Sequence, residues 1–305
     1  PAAYQNGMDQ VGLYDINGDG LLDRVMRRAY ASYDRFAVQL NTGSGFGPLV
    51  EWTGVDALGT NDGSFGSPAT YNNGMVQAGL YDINGDGLPD RVMRKPSGTF
   101  DNFLVQLNKG SFPDLLSQID NGIGGKTTLS YKSATQYDNR DQNGRAWLPF
   151  PINTVSSMTV DDGLGNLATT IYSYQGGMYE PKTREFRGFN RVEVTDPLGA
   201  RTITYFHQGG CIDDSANGEF QDQTAKAKQG IPYRVEVWGS DGLKYSQTLN
   251  KVEETQLHAN GWYFPRIAQT IQMEYEGLAA YRAVAKQFTY DTATLNPIKE
   301  SNLGE

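Results

Sequence analysis

GLYDINGDGLLDRVMR at residues 12–27 recurs as GLYDINGDGLPDRVMR at residues 79–94. Outward from this core, Tyr4 to Gly43 aligns with Tyr71 to Gly110 at a constant offset of 67, with 27 identities over 40 ungapped positions. A duplication of this quality decides the organisation of the first part of the chain. Within each copy, Val11 and Leu13 alternate with small or polar neighbours, and Val25 follows the Asp/Gly loop. Phe36, Val38 and Leu40 then alternate with Ala37, Gln39 and Asn41, a period of two that predicts short strands. Gly43, Gly45 and Gly47 mark the next turn. A unit of three or four such strands cannot bury both its faces alone, and units of this kind stack radially as propeller blades. Two blades cannot close a ring of about four or more. With an opening at Pro1 rather than methionine, the expectation is a segment of a longer protein.

The repeated loops carry oxygen ligands at regular spacing. Asp15, Asn17, Asp19 and Asp23 occupy positions 1, 3, 5 and 9 of the first, and Asp82, Asn84, Asp86 and Asp90 those of the second. Gly20 and Gly87 sit at position 6, where a sharp turn is needed, and the carbonyls of Leu21 and Leu88 stand at position 7. Hard oxygens in this pattern suit Ca²⁺, which takes six to eight of them at about 2.3–2.6 Å. Zinc and copper lack their soft ligands here. An EF-hand would place Glu at position 12, where Met26 and Met93 stand, and its helices are replaced by strand-like flanks. Asp23 and Asp90 are therefore expected to close the sites. Three carboxylates per loop repel one another without a cation, which favours bound structural Ca²⁺ over the plainer alternative of a metal-free hairpin turn.

Composition narrows the function. The 305 residues are 38% hydrophobic, enough for a core, and 36 glycines with 18 tyrosines fit an all-β chain rich in turns. A formal net charge of -9 argues against a nucleic-acid binder. Cys211 is the single cysteine and His207 and His258 the only histidines, so disulfides, thiolate clusters and most histidine-based catalysis are excluded or starved of residues. No apolar run is long enough to span a bilayer as a helix.

From about Ile119 the loops give way to strand–turn–strand segments: TTLSYK, SSMTVDDGLGNLATTIYSY, RVEVTDPLGARTITYF and YRVEVWGSDGLKYSQTL, with AVAKQFTYD near Tyr290 as one more strand. Asp and Gly at the turns tolerate tight-hairpin backbone. The LYDINGDG loops followed by VQLN and GSGFG resemble FG-GAP/VCBS-type propeller blades. IDNGIGGKTTLSYK, WLPFPINTVSSMTV and TREFRGFNRVEVTD resemble SpvB/TcB-type insecticidal toxin-complex proteins and, more widely, Rhs/YD-repeat proteins. The resemblance implies a partial propeller of two blades over residues 1–118 and the beginning of an Rhs/YD-type antiparallel β-shell over residues 119–305. It also implies a non-enzymatic, secreted structural segment, whose parent encloses or delivers a toxic payload and whose partners are other segments or subunits of a large assembly. The alternative class is an extracellular adhesin that recognises a protein or glycan receptor through blade loops, with residues 49–70 as the contact region.

Other motifs read as structure. GIGGKT lacks the first glycine of a phosphate loop and is followed by a strand pattern, so a turn is predicted. GSGFG sits in no βαβ unit and is read as a hairpin turn. Asp161–Asp162 and Asp213–Asp214 are adjacent carboxylates in Gly-rich turns rather than a catalytic pair. DNRDQNG is a plain loop, and His207 near Cys211 and His258 in LHANGW are read as buried or turn residues. Tyr131, Trp147, Phe150, Tyr172, Tyr174, Tyr205, Phe206 and Tyr233 are expected to line a core or shell wall.

Overall fold

The computed structural model describes residues 11–27, 35–55, 78–94, 103–110, 115–140, 143–209, 226–258, 261–291 and 293–304. These form antiparallel sheets in two compact units, one ending at Leu116 and the other beginning at Ser117. The all-β expectation holds, and helix is confined among the described residues to two single 3-10 turns.

In the first unit each copy of the repeat makes its own sheet. β1 (Val11–Tyr14), β2 (Asp23–Arg27), β3 (Arg35–Gln39) and β4 (Val50–Thr53) pair in sequence order. β5 (Ala78–Tyr81), β6 (Asp90–Arg94) and β7 (Phe103–Gln106) repeat the first three strands. The registers are equivalent: Tyr14 lies opposite Asp23 and Val25 opposite Val38, as Tyr81 opposite Asp90 and Val92 opposite Val105. Period-two alternation puts Val25, Phe36 and Val38 on one face, where with Ile16 they form a buried cluster. Leu80 of the second sheet and Trp52 of β4 pack against that cluster. The contact between the sheets is also polar: the Asn108 amide donates to the Ile16 carbonyl at 2.9 Å and Gln106 to that of Gly54 at 3.3 Å.

The copies diverge at the fourth strand. At the offset of 67, residues 50–53 correspond to residues 117–120. That segment does not complete the second sheet; it becomes β8 (Gln118–Asp120) of the second unit. The cause is the turn that follows. Asn121 accepts the Ile123 and Gly125 amides at 2.9 Å each, folding the chain straight back into β9 (Lys126–Ser133). A local hairpin thereby wins over the repeat.

The second unit is one eleven-stranded meander. After β8 and β9 come β10 (Asn153–Asp161), β11 (Leu167–Glu180), β12 (Glu185–Thr195), β13 (Arg201–Phe206) and β14 (Pro232–Trp238). β15 (Lys244–His258), β16 (Trp262–Glu274), β17 (Arg282–Tyr290) and β18 (Pro297–Asn302) complete it, and each strand pairs only with its sequence neighbours. Alternate turns therefore share one end of the sheet. Three of them are built alike. Asn121, Asp162 and Asp196 each accept the amides two and four residues ahead, and a glycine in the left-handed region (Gly124, Gly165, Gly199) follows the central aliphatic residue. Ile123, Leu164 and Leu198 stand almost fully exposed at these tips. Neighbouring tips touch: a Cβ on Gly163 would lie 2.7 Å from the Gly124 carbonyl.

Candidate functional site

The two Asp/Asn loops link β1 to β2 and β5 to β6, so strands flank them, as the missing EF-hand features require. Asp15 accepts the amides of Gly18 and Gly20 at 2.8 and 2.9 Å; Asp82 accepts that of Gly87 at 2.9 Å. Asn17 accepts from the Asp19 amide and its own amide donates to the Asp19 carboxylate; Asn84 and Asp86 repeat both bonds. Asp19 and Asp86 accept the amides of Leu21 and Leu88 at 2.8 Å. Gly18, Gly20, Gly85 and Gly87 all take positive φ, which lets the loop coil around its own carboxylates.

Asp23 and Asp90 do something different. Both are fully buried. One carboxylate oxygen accepts the amide of Ile16 or Ile83 at 3.1 Å; the other accepts that of Asn41 or Asn108 at 2.8 Å. Each thus staples its loop to the strand after next. Burial pushes the Asp23 carboxyl up, the Asn41 and Ile16 amides hold it back, and nearby Asp19 and Asp15 push it further up. Among the described residues no group of three or more His, Cys, Asp or Glu side chains is arranged to hold a metal ion. The donor type suits a hard cation, and three carboxylates converge on each loop in sequence. In the present arrangement their oxygens are engaged by main-chain amides.

The other singled-out motifs fall into place as structure. GSGFG is the β3–β4 turn, closed by the Gly47 amide on the Leu40 carbonyl at 2.8 Å. GIGGKT is the β8–β9 turn and the first residues of β9. Asp161 and Asp162 accept turn amides, whereas Asp213, Asp214 and Cys211 lie outside the described residues. Asp138 of DNRDQNG pairs with Arg140. His207 is buried against the Tyr233 ring, 5.0 Å between centroids. His258 ends β15 rather than lying in a turn, because the β15–β16 ladder runs out to its pairing with Trp262. Of the aromatic residues, Tyr174 contacts both Tyr137 and Phe189, Phe150 contacts Tyr179, and Tyr205 contacts Tyr233.

Two groupings in the second unit were not foreseen. The first is a buried node behind the LPFP and REFRGF segments. Gln208 donates to the carbonyls of Gly176 and Gly188 at 2.7 and 2.8 Å, and Arg187 donates to that of Gly209 at 2.6 Å. Asn139 donates to the Ala134 carbonyl and accepts the Gly177 amide. A Cβ on Gly177 would lie 2.9 Å from Asn139, Leu148 and Phe189, which explains the glycine pair in YQGGMYE. The second is a charge–aromatic ladder across β13 to β15. Arg234 stacks on Tyr205, Arg201 and Lys244 flank Trp238, and buried Glu236 bonds Arg234, Trp238 and Lys244. Burial pushes the Glu236 carboxyl up, but the bonds from Arg234, Trp238 and Lys244 outweigh it and hold the group below the usual carboxylate range.

Comparison with known proteins bears on this assembly. Residues 64–215 match the model of the insecticide toxin TcdB middle/N-terminal region, a span that covers the second sheet, the β8 crossover, LPFP and REFRGF. Over that span the chain is similar to the TcdB middle/N-terminal region. Comparison with curated proteins finds no match. Among solved structures, the chain is similar to TcdB2–TccC3 without its hypervariable C-terminal region, with a TM-score of 0.72 and 22% identity over 95% of this chain. It is similar to TcdB2–TccC3–Cdc42, with a TM-score of 0.68 and 21% identity over 91% of this chain. A Tc holotoxin pore from Photorhabdus luminescens gives 0.71 and 21% over 95%. At this identity the likeness is one of fold, and the chain spans only 16%, 15% and 16% of those chains.

Proposed function

We propose that this chain is a non-enzymatic structural segment of a secreted toxin-complex component, in which Ca²⁺-stiffened propeller blades lead into a β-shell that encloses or delivers a payload. The observation that carries this reading is the TcdB match across the junction of the two units. The meander supports it. Its eleven strands pair in chain order and end in two edge strands, β8 and β18, of the kind that pair with further strands. Its partners are other segments or subunits of the assembly, and its location is extracellular, where Ca²⁺ is about millimolar.

In the Ca²⁺ part of the reading, Asp15, Asn17, Asp19 and the Leu21 carbonyl hold the ion, with Asp23 behind them. Asp82, Asn84, Asp86, Leu88 and Asp90 repeat the arrangement. The ion supplies positive charge that the crowded carboxylates lack. The test is thermal unfolding with Ca²⁺ and with chelator, together with metal analysis of the purified chain. About two Ca²⁺ per chain and a lower melting temperature in chelator are expected. No bound metal and no shift would remove Ca²⁺ from the reading. For the assembly part, the chain is mixed with the remaining toxin-complex subunits and co-purified; failure to co-assemble with any of them would count against it.

A further inference from the structure

Five turns share one end of the large sheet, closing β8–β9, β10–β11, β12–β13, β14–β15 and β16–β17. Each carries an aliphatic residue that the sheet itself does not use. Ile123, Leu164 and Leu198 are 90%, 86% and 84% exposed, and Leu278 and Leu243 are 67% and 48% exposed. Turns ordinarily take Asn, Asp, Ser or Gly at such positions. A lone exposed leucine needs no explanation, but the same choice in five alternate turns does. The opposite end shows that this is no habit of the sheet's turns. There residues 181–184 read PKTR, and Leu295 in the β17–β18 turn is half-buried.

The tips lie close together. A Cβ on Gly163 would meet the Gly124 carbonyl at 2.7 Å, one on Gly199 the Ser240 side chain at 3.3 Å, and one on Gly277 the Leu243 side chain at 3.3 Å. Successive hairpins are set two strands apart, about 10 Å, so the row of five spans about 40 Å. It is acidic as well as apolar. Between their strands the five turns contain Asp162, Asp196, Asp241 and Glu276 and no lysine or arginine. Bonds from the Asn166 side chain and the Leu164 amide hold the Asp162 carboxyl below the usual range. The Leu243 amide and the Tyr245 hydroxyl do the same for Asp241. The cations at the adjoining strand ends are already met: Arg201 by Glu193 and Lys244 by Glu236, while Lys126 lies opposite Asp120 and Asp161, and Arg282 opposite Glu274.

We infer that this rim docks a basic protein segment in which lysine or arginine alternates with aliphatic residues. The aliphatic side chains seat among the exposed tips, and the cations meet the turn carboxylates. Charge selects this occupant. Apolar tips that enter a bilayer surface are ringed by Lys and Arg, whereas anionic headgroups repel turns that carry only carboxylates. The inference goes beyond the toxin-complex reading, since it rests on the turns alone and needs no metal.

The probe is a synthetic peptide of alternating leucine and lysine, about twelve residues long so that it spans the row when extended. It is titrated into the whole chain and followed by fluorescence anisotropy. Binding is expected, and it weakens as salt rises. The double variant Leu164→Ser with Leu198→Ser changes only exposed positions, so it keeps the melting temperature of the parent, and it is expected to bind at least about tenfold more weakly. A serine–lysine peptide is expected to lose as much, and a leucine–glutamate peptide is expected not to bind. Equal binding by parent and variant would overturn the inference, as would equal binding of the lysine and glutamate peptides. Flotation of the parent but not the variant with phosphatidylcholine vesicles would also overturn it, making the rim a lipid contact. None of these readouts uses Ca²⁺ or another toxin subunit, so this inference and the toxin-complex reading fail separately.

Discussion

Replacing Asp23 by Asn separates two roles that the loop chemistry entangles. In the structure its carboxylate is an acceptor for two buried amides, Asn41 at 2.8 Å and Ile16 at 3.1 Å. Asn keeps one acceptor and turns an NH₂ toward the other amide. The loss is one charge-assisted bond, about 1.5–3 kcal/mol, plus an unsatisfied buried donor, about 1–3 kcal/mol. Relief of the repulsion from Asp15 and Asp19 offsets part of this, which leaves about 2–4 kcal/mol. At about 4 °C per kcal/mol, the first unit melts roughly 8–15 °C lower. The assay is a melt followed by calorimetry in excess chelator, where any metal contribution is removed. Asp19→Asn is the comparison, because the carboxamide oxygen it introduces still accepts the Leu21 amide and only the half-buried bond from the Asn17 side chain is lost; in chelator it is expected to cost about 0.5–1.5 kcal/mol, less than Asp23→Asn. An Asp23→Asn protein that melts with the parent in chelator, and differs only when Ca²⁺ is present, refutes the staple and makes Asp23 a metal ligand.

Further outcomes follow from the second unit. Glu236 has its carboxyl held low, so its contribution is complete above the unfolded carboxylate value of about 4.3 and disappears as pH falls through the lower folded value. Glu236→Gln is expected to cost roughly 3 kcal/mol at neutral pH, because Arg234 loses its buried partner, and much less near pH 2; an acid titration of stability that runs parallel to the parent would contradict this. Gln208→Ala strips the donor from two buried carbonyls and should cost about 1–3 kcal/mol, read as faster amide exchange in β11 and β12. Gly163→Ala meets both a φ of +74° and the Gly124 carbonyl, whereas Gly165→Ala meets only a φ of +98°; the first is expected to be the more destabilising in urea melts.

How much the sequence revealed depended on range. The repeat, the strand periodicity and the Asx-Gly turns are local signals, and they placed β1 to β3, β5 to β7 and the β10–β11, β12–β13 and β14–β15 hairpins, whereas β16 and β18 lie outside the segments those signals picked out. The failure of residues 117–120 to repeat β4 is also locally encoded, in the NGIGG turn that follows. The node was out of reach. Asn139, Gly177, Arg187 and Gln208 are ordinary polar and glycine residues spread over 70 positions, and only the returning path of β11 to β13 brings them together. Glu236 gave no sign either, since its two cations approach from the same strand and the next across a register that no single segment displays. Spacing also carries no sign that the position-9 aspartates, Asp23 and Asp90, accept buried amides, since it records which oxygens are near and not which donors they meet.

The pairing order of the large sheet bears on how it is made and unmade. Since every one of the eleven strands meets only its chain neighbours, no contact in the ladder waits for a distant segment. Such a sheet behaves as a one-dimensional lattice: a hairpin closes as soon as its second arm leaves the ribosome, and each new strand adds one interface to a growing front. Drawn from one terminus, it yields arm by arm in a series of small ruptures, and what has not yet been pulled keeps its structure.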